Sequence, residues 1–187
     1  MTVHARIGDG CGPWYVDASP GELRKNPARA GGLDTPVDDG GNFPPGLYLT
    51  IQAKTSQAVV ITGVEVTALS RAALPKSGVV IVEDNPCGGA METRDFDVDL
   101  AATPASVRPR ESADGTTVDF PLKVSDNDPE QLGLLLSPGG RDVRFTVRVN
   151  WVAEGRSDSK LLDNGGPGYH VLTRPDLPTY PLSRLRS

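Results

Sequence analysis

The chain has 187 residues, a formal net charge of −5 and a pI near 5.0. That balance excludes the basic footprint that nucleic-acid binding needs. With 21 Gly, 17 Pro and 37% hydrophobic residues it suits one ordinary turn-rich domain, and no apolar run reaches the roughly 18 residues that span a bilayer.

Residues 1–45 read as a Gly/Pro-rich N-terminal arm that packs on the main domain. Gly31-Gly32, Asp38-Asp39-Gly40-Gly41-Asn42 and Pro44-Pro45 are breaker signals, and Trp14, Tyr15 and Val16 are the apolar patch that would pin the arm. Ser19, Pro20 and Glu22 spell the start of a short helical turn, with Ser19 as cap and Glu22 at the third position. Met1 to Asp9 carries no basic region followed by an apolar run, so no signal peptide is read. The chain as written is expected to be soluble and cytoplasmic; as a fragment of an anchored protein it would be extracytoplasmic.

Residues 46–173 read as the domain proper. Leu47, Leu49, Ile51 and Ala53 alternate with polar residues, a side-chain period of two that marks a strand with one buried face. Ala58 to Arg71 forms a longer strand with Val60, Thr62, Val64, Val66 and Ala68 in phase, pairing with the first as a hairpin or crossing between sheets. Val79 to Glu83 is a short apolar run. Phe96, Val98 and Leu100 alternate against Asp95, Asp97 and Asp99. Val118, Phe120, Leu122 and Val124 do the same, with Pro121 demanding an edge or a bulge.

Gln131 to Leu136 is a continuous apolar stretch, expected to be buried on both sides. Arg141 to Trp151 is the clearest strand, with Val143, Phe145, Val147, Val149 and Trp151 on one parity. Glu154-Gly155-Arg156 turns it into a return strand over Ser157 to Leu162, and Tyr169 to Leu172 is a last strand. Residues 174–187, with Pro175, Pro178 and Pro181, read as an extended tail. Eight or nine strands at this spacing predict an all-β fold: an antiparallel two-sheet β-sandwich, immunoglobulin-like in general form.

No residue pattern assembles a catalytic group or a cofactor cradle, so neither a catalytic residue nor a cofactor is expected. Asp126 and Asp128, in Ser125-Asp126-Asn127-Asp128-Pro129-Glu130, are the best candidate metal ligands, because an oxygen-rich loop suits a hard cation. The same residues are ordinary turn formers. Asp95, Asp97 and Asp99 share a face, but strand carboxylates about 7 Å apart do not converge on one ion unaided. They read as a wet sheet face.

His4 and His170 are the only histidines and have no local partner. Tyr48, on the polar parity of its strand, marks a contact surface or covers an apolar neighbour. Arg144 and Arg148 read as a solvated face. Cys11 and Cys87 sit in Gly/Pro-rich turns; a bridge would close a loop of about 75 residues and contribute roughly 4 kcal/mol, and two free thiols remain the alternative.

The stretch from Leu49 to Leu161 resembles an uncharacterised all-β domain of actinobacterial proteins. The matching pieces are Ala58-Val59-Val60-Ile61-Thr62-Gly63-Val64-Glu65-Val66, Cys87-Gly88-Gly89-Ala90, Phe96-Asp97-Val98-Asp99-Leu100, Val118-Asp119-Phe120-Pro121 and Val124 to Glu130, with Cys11 and Trp14 ahead of them. The resemblance implies a sandwich and carries no catalytic or binding residue.

The expectation is therefore a non-catalytic binding module. It would recognise a protein partner through loops or a sheet edge near Tyr48 or the N-terminal arm. Two alternatives remain: a Ca²⁺- or carbohydrate-binding sandwich of the cell envelope, and, least favoured, a hydrolase with a loop-borne site. The last requires His170 to reach a serine or a carboxylate. Neither nucleic acid nor a membrane span is expected, and oligomeric state and the partner's identity are open.

Overall fold

The computed structural model describes residues 1–8, 12–26, 35–41, 44–54, 56–83, 93–112 and 114–185. Cys11, Cys87 and the Cys87-Gly88-Gly89-Ala90 motif lie outside the described residues.

Two sheets pack face to face. The first, of five strands, runs in the order β1 (Thr2–Ile7), β4 (Gly46–Gln52), β10 (Glu130–Ser137), β7 (Arg94–Asp99), β8 (Ser106–Pro109). The second, of nine, runs β14 (Thr179–Pro181), β6 (Val79–Val82), β2 (Trp14–Val16), β3 (Thr35–Asp38), β13 (Tyr169–Thr173), β11 (Asp142–Ala153), β5 (Val59–Ala72), β9 (Leu122–Val124). β12 (Arg156–Leu162) lies beside the far half of β11.

The all-β, two-sheet architecture is the expected one. The strand count is not: fourteen strands form among the described residues, because residues 1–45 and 174–187, read as arm and tail, contribute strands of their own. Nor are the sheets purely antiparallel, since β10–β7, β13–β3 and β14–β6 run parallel.

The core lies between the sheets. Leu47, Leu49 and Ile51 of β4 and Leu132, Leu134 and Leu136 of β10 face Val143, Phe145, Val147 and Val149 of β11. β10 is buried from Leu132 to Leu136, as its unbroken apolar run predicts: Leu132, Leu134 and Leu136 face the core, and Asp95 and Thr93 lie over Gly133 on the other face. The long hairpin β11–β12 turns at Glu154 and Gly155, both with positive φ (52° and 73°), the backbone that a tight two-residue hairpin requires.

One phase differs from expectation. A register shift opposite Asn150/Trp151 inserts an extra residue at Thr62, so Val59 and Ile61 face the core before it and Val64 and Val66 after it. Val60 and Thr62 therefore lie outside the core phase. A bulge inverts parity, and the alternation alone does not reveal where it falls.

Residues 117–124 also depart from one continuous strand. Only Leu122–Val124 pairs in the sheet, while the Phe120 ring stacks on Phe96 at 4.8 Å. Pro121 sits just before β9, which ends its sheet, as a residue without an amide proton should.

In the arm, β1 joins the first sheet against β4. The helix α1 (Pro20–Lys25) follows, with a complete capping box between Ser19 and Glu22 and with Leu23 fully buried. The tail returns as β14 beside β6 and ends in a 3-10 turn at Leu182–Leu185. Leu23, Val16, Val79 and Ile81 form a small second core, closed by Tyr180 and Leu182.

Candidate functional site

Three neighbouring strands of the larger sheet bring a polar line to its outer face. His170 of β13 stands opposite Arg144 in the β11 register, and the parallel β13–β3 register sets it beside Thr35. Its Nδ1 lies 2.9 Å from Thr35 Oγ1 and its Nε2 lies 2.6 Å from Asp142 Oδ1. A hydroxyl, an imidazole and a carboxylate in that order are the elements of a nucleophile–base–orienter relay. Thr35 is only 3% exposed, however, so its oxygen is closed to a substrate carbonyl. The line ties β3, β13 and β11 together and satisfies the polar groups it buries.

Beside it, Tyr15 packs with Val37 and Leu172. Its hydroxyl donates to the Ser77 carbonyl at 3.1 Å. Burial, then the charge of Asp17 and a hydrogen bond to it, then the charge of Asp142, push the Tyr15 phenol up to about 12. Sequence reasoning missed Thr35 and Asp142 because partners 135 and 28 residues from His170 leave no local trace.

The Asp126 and Asp128 loop caps one end of β4. Gln52 donates to the Asp126 carbonyl at 2.8 Å, Ala53 N–H to that of Ser125, and Ser125 N–H to that of Asp128. Asp126 Oδ1 is buried without a hydrogen-bond partner, while Asp128 is exposed. Among the described residues no group of three His, Cys, Asp or Glu side chains is placed to hold a metal ion.

Each strand aspartate of β7 has a different partner. Asp95 accepts from Thr93, Asp97 pairs with Arg110 at 3.4 Å, and Asp99 accepts from the amides of Ala101 and Ala102. Separate partners keep the three carboxylates from acting as one set of ligands.

Tyr48 is not at an edge. β4 is paired on one side by β1 and on the other by β10, with Arg6 and Gly133 opposite Tyr48. Its ring lies over Gly46, where a Cβ would meet the ring at 2.7 Å. Arg148 donates to Ser159 at 3.2 Å on the outer face of the larger sheet, and Arg144 is exposed there.

The edge lies one strand further out, at β1. Gly8 N–H donates to Gly46 at 2.7 Å, which fixes the phase of the ladder. In an antiparallel pair the bonded positions alternate, so Arg6, His4 and Thr2 exchange bonds with β4. Val3, Ala5 and Ile7 therefore turn their N–H and C=O groups away from it. Lys160, reaching from β12 in the opposite sheet, donates to the Val3 carbonyl at 3.2 Å. Among the described residues the other outward groups of β1 have no partner. The strand's side chains are sorted as well: Val3, Ala5 and Ile7 pack against the core, while His4 and Arg6 are exposed.

Comparison of the chain with protein-family models, with curated proteins and with solved structures found no match.

Proposed function

We propose that the chain is a non-catalytic recognition module that takes an extended segment of a protein partner along β1. The observation that carries this reading is the outer ladder of β1, whose backbone donors and acceptors at Ala5 and Ile7 are directed away from the sheet and have no partner among the described residues. Such an edge recognises a peptide by strand addition, with main-chain bonds giving affinity and alternate side chains giving choice. A sandwich of immunoglobulin-like form would serve the same role.

Ala5→Pro tests it. The substitution deletes one outward N–H that the sheet does not use, at the kind of position where an edge strand tolerates proline. A partner retained from host extract by the native chain should be lost by Ala5→Pro, with the thermal midpoint little changed. Equal retention by both chains overturns the reading.

The Thr35–His170–Asp142 line favours a second reading, a hydrolase acting through Thr35. An acyl-directed covalent probe distinguishes the two. With Thr35 closed to solvent, no adduct on Thr35 is expected; an adduct abolished by His170→Gln would establish the enzyme instead.

A further inference from the structure

We infer that the partner segment is acidic, with carboxylates at alternate positions separated by apolar residues. This inference rests on the proposed edge recognition and names the chemistry that would fit it.

Consider a strand added antiparallel to β1. Its residue opposite Ala5 exchanges both main-chain bonds, because Ala5 directs both groups outward. Its residues opposite His4 and Arg6 occupy non-hydrogen-bonded pairs, where side chains approach each other most closely. Arg6 is exposed and has no ion-pair partner among the described residues, so a carboxylate opposite it meets a free guanidinium, and a carboxylate opposite the exposed His4 meets an imidazole N–H donor. The Lys160 ammonium at the Val3 carbonyl adds a further positive charge to the same edge. On a chain of net charge −5, Arg6 and Lys160 set two positive charges along this edge, which disfavours basic segments and favours acidic ones.

The apolar alternation follows from the other face. Ala5 and Ile7 point inward yet are only partly covered, and residues of the same parity in an added strand would complete that cover.

The same sheet already contains this pairing at its opposite edge. β7 alternates Asp95, Asp97 and Asp99 with Phe96 and Val98, and the edge strand β8 sets Arg108 directly across from Asp97. Arg110, just past β8, completes the ion pair with Asp97. An acidic alternating strand beside an arginine-bearing one is thus accommodated by this sheet's own pleat.

The test uses the full chain and short capped peptides alternating Val with Asp, Thr or Lys, read by backbone amide NMR and by fluorescence anisotropy. The Asp peptide should shift the Val3, Ala5 and Ile7 amides. Its affinity should fall about tenfold with Arg6→Glu, and it should weaken with added salt. Arg6 is exposed, and an unchanged spectrum elsewhere in the free variant shows that its fold is intact. If the Thr peptide binds β1 as well as the Asp peptide, the acidic preference is wrong while edge recognition stands. If no peptide shifts the β1 amides, or if shifts fall on another surface, both readings fall.

Discussion

The β5–β11 pair and the outboard group β2, β3, β6 and β14 are built by opposite routes. β5 and β11 are 14 and 12 residues long, and their register runs from Asp142↔Ala72 to Val152↔Val60. Each carries its own buried stripe. The outboard strands have three or four residues each and come from four separate stretches of the chain. They acquire an inside only by assembly: Leu23 of α1 and Leu182 of the tail close over Val16, Val79 and Ile81, and Tyr15 and Val37 pack against Leu172. The first region is specified locally and then paired; the second exists only as an assembly. Cooperative stability should therefore be centred on β5–β11, with the outboard group opening at lower free energy.

The sharpest way to break this contrast is at the centre. Phe145 is fully buried in β11, with its ring 5.8 Å from that of Tyr169. Phe145→Ala should cost about 3–5 kcal/mol, the range for emptying an aromatic site in a core. Denaturant titration should show a lower midpoint for the whole domain. A loss confined to β13 would mean that the β5–β11 pair is not its centre.

Next comes the outboard core. Leu23 is fully buried, and Leu23→Ala should cost about 2–4 kcal/mol locally. Native-state hydrogen exchange should show faster exchange at Val16, Val80 and Ile81, with Val147 and Val149 unchanged. Equal acceleration in both places would show one cooperative unit rather than two.

The same contrast explains what was legible in the sequence. Val143 to Trp151 displays a period of two, and the strand it predicts is the one observed. Phe96 and Val98 alternate correctly against their aspartates for the same reason. Ser19, Pro20 and Glu22 announced the helix start, because a capping box is a bond between residues three apart. The strand at Thr2–Ile7 was legible in principle, since Val3, Ala5 and Ile7 alternate with His4 and Arg6, but the breaker-rich residues after it masked the signal; Thr179–Pro181 is too short to announce its pairing with Val80–Val82. At the candidate site, His170 was visible as a residue but Asp142 and Thr35 were not visible as its partners. The proposed edge depends on backbone groups, which every residue possesses, so only the register could reveal it.

The smallest expected effect lies where the two regions meet. Tyr15, on outboard β2, has its phenol pushed up to about 12, chiefly by burial and then by Asp17. The unfolded chain ionises this group near 10. Below about pH 10 both states hold the proton and the stabilisation is fully present; between about pH 10 and 12 only the folded state holds it, so stability falls as pH rises. A shift of this size is worth roughly 2 kcal/mol. Tyr169, also raised by burial and by Asp163, adds a loss of the same sign. Tyr15→Phe should therefore cost about 1 kcal/mol at neutral pH through the lost bond to Ser77, and should reduce the alkaline loss without abolishing it. Denaturant titrations of both chains at about pH 9 and about pH 11.5 measure this directly. If the alkaline loss is unchanged in Tyr15→Phe, Tyr15 ionises as freely in the folded chain as in the unfolded one. The outboard strands would then be open to water well before the β5–β11 pair, a wider separation between the regions than the buried Tyr15 implies.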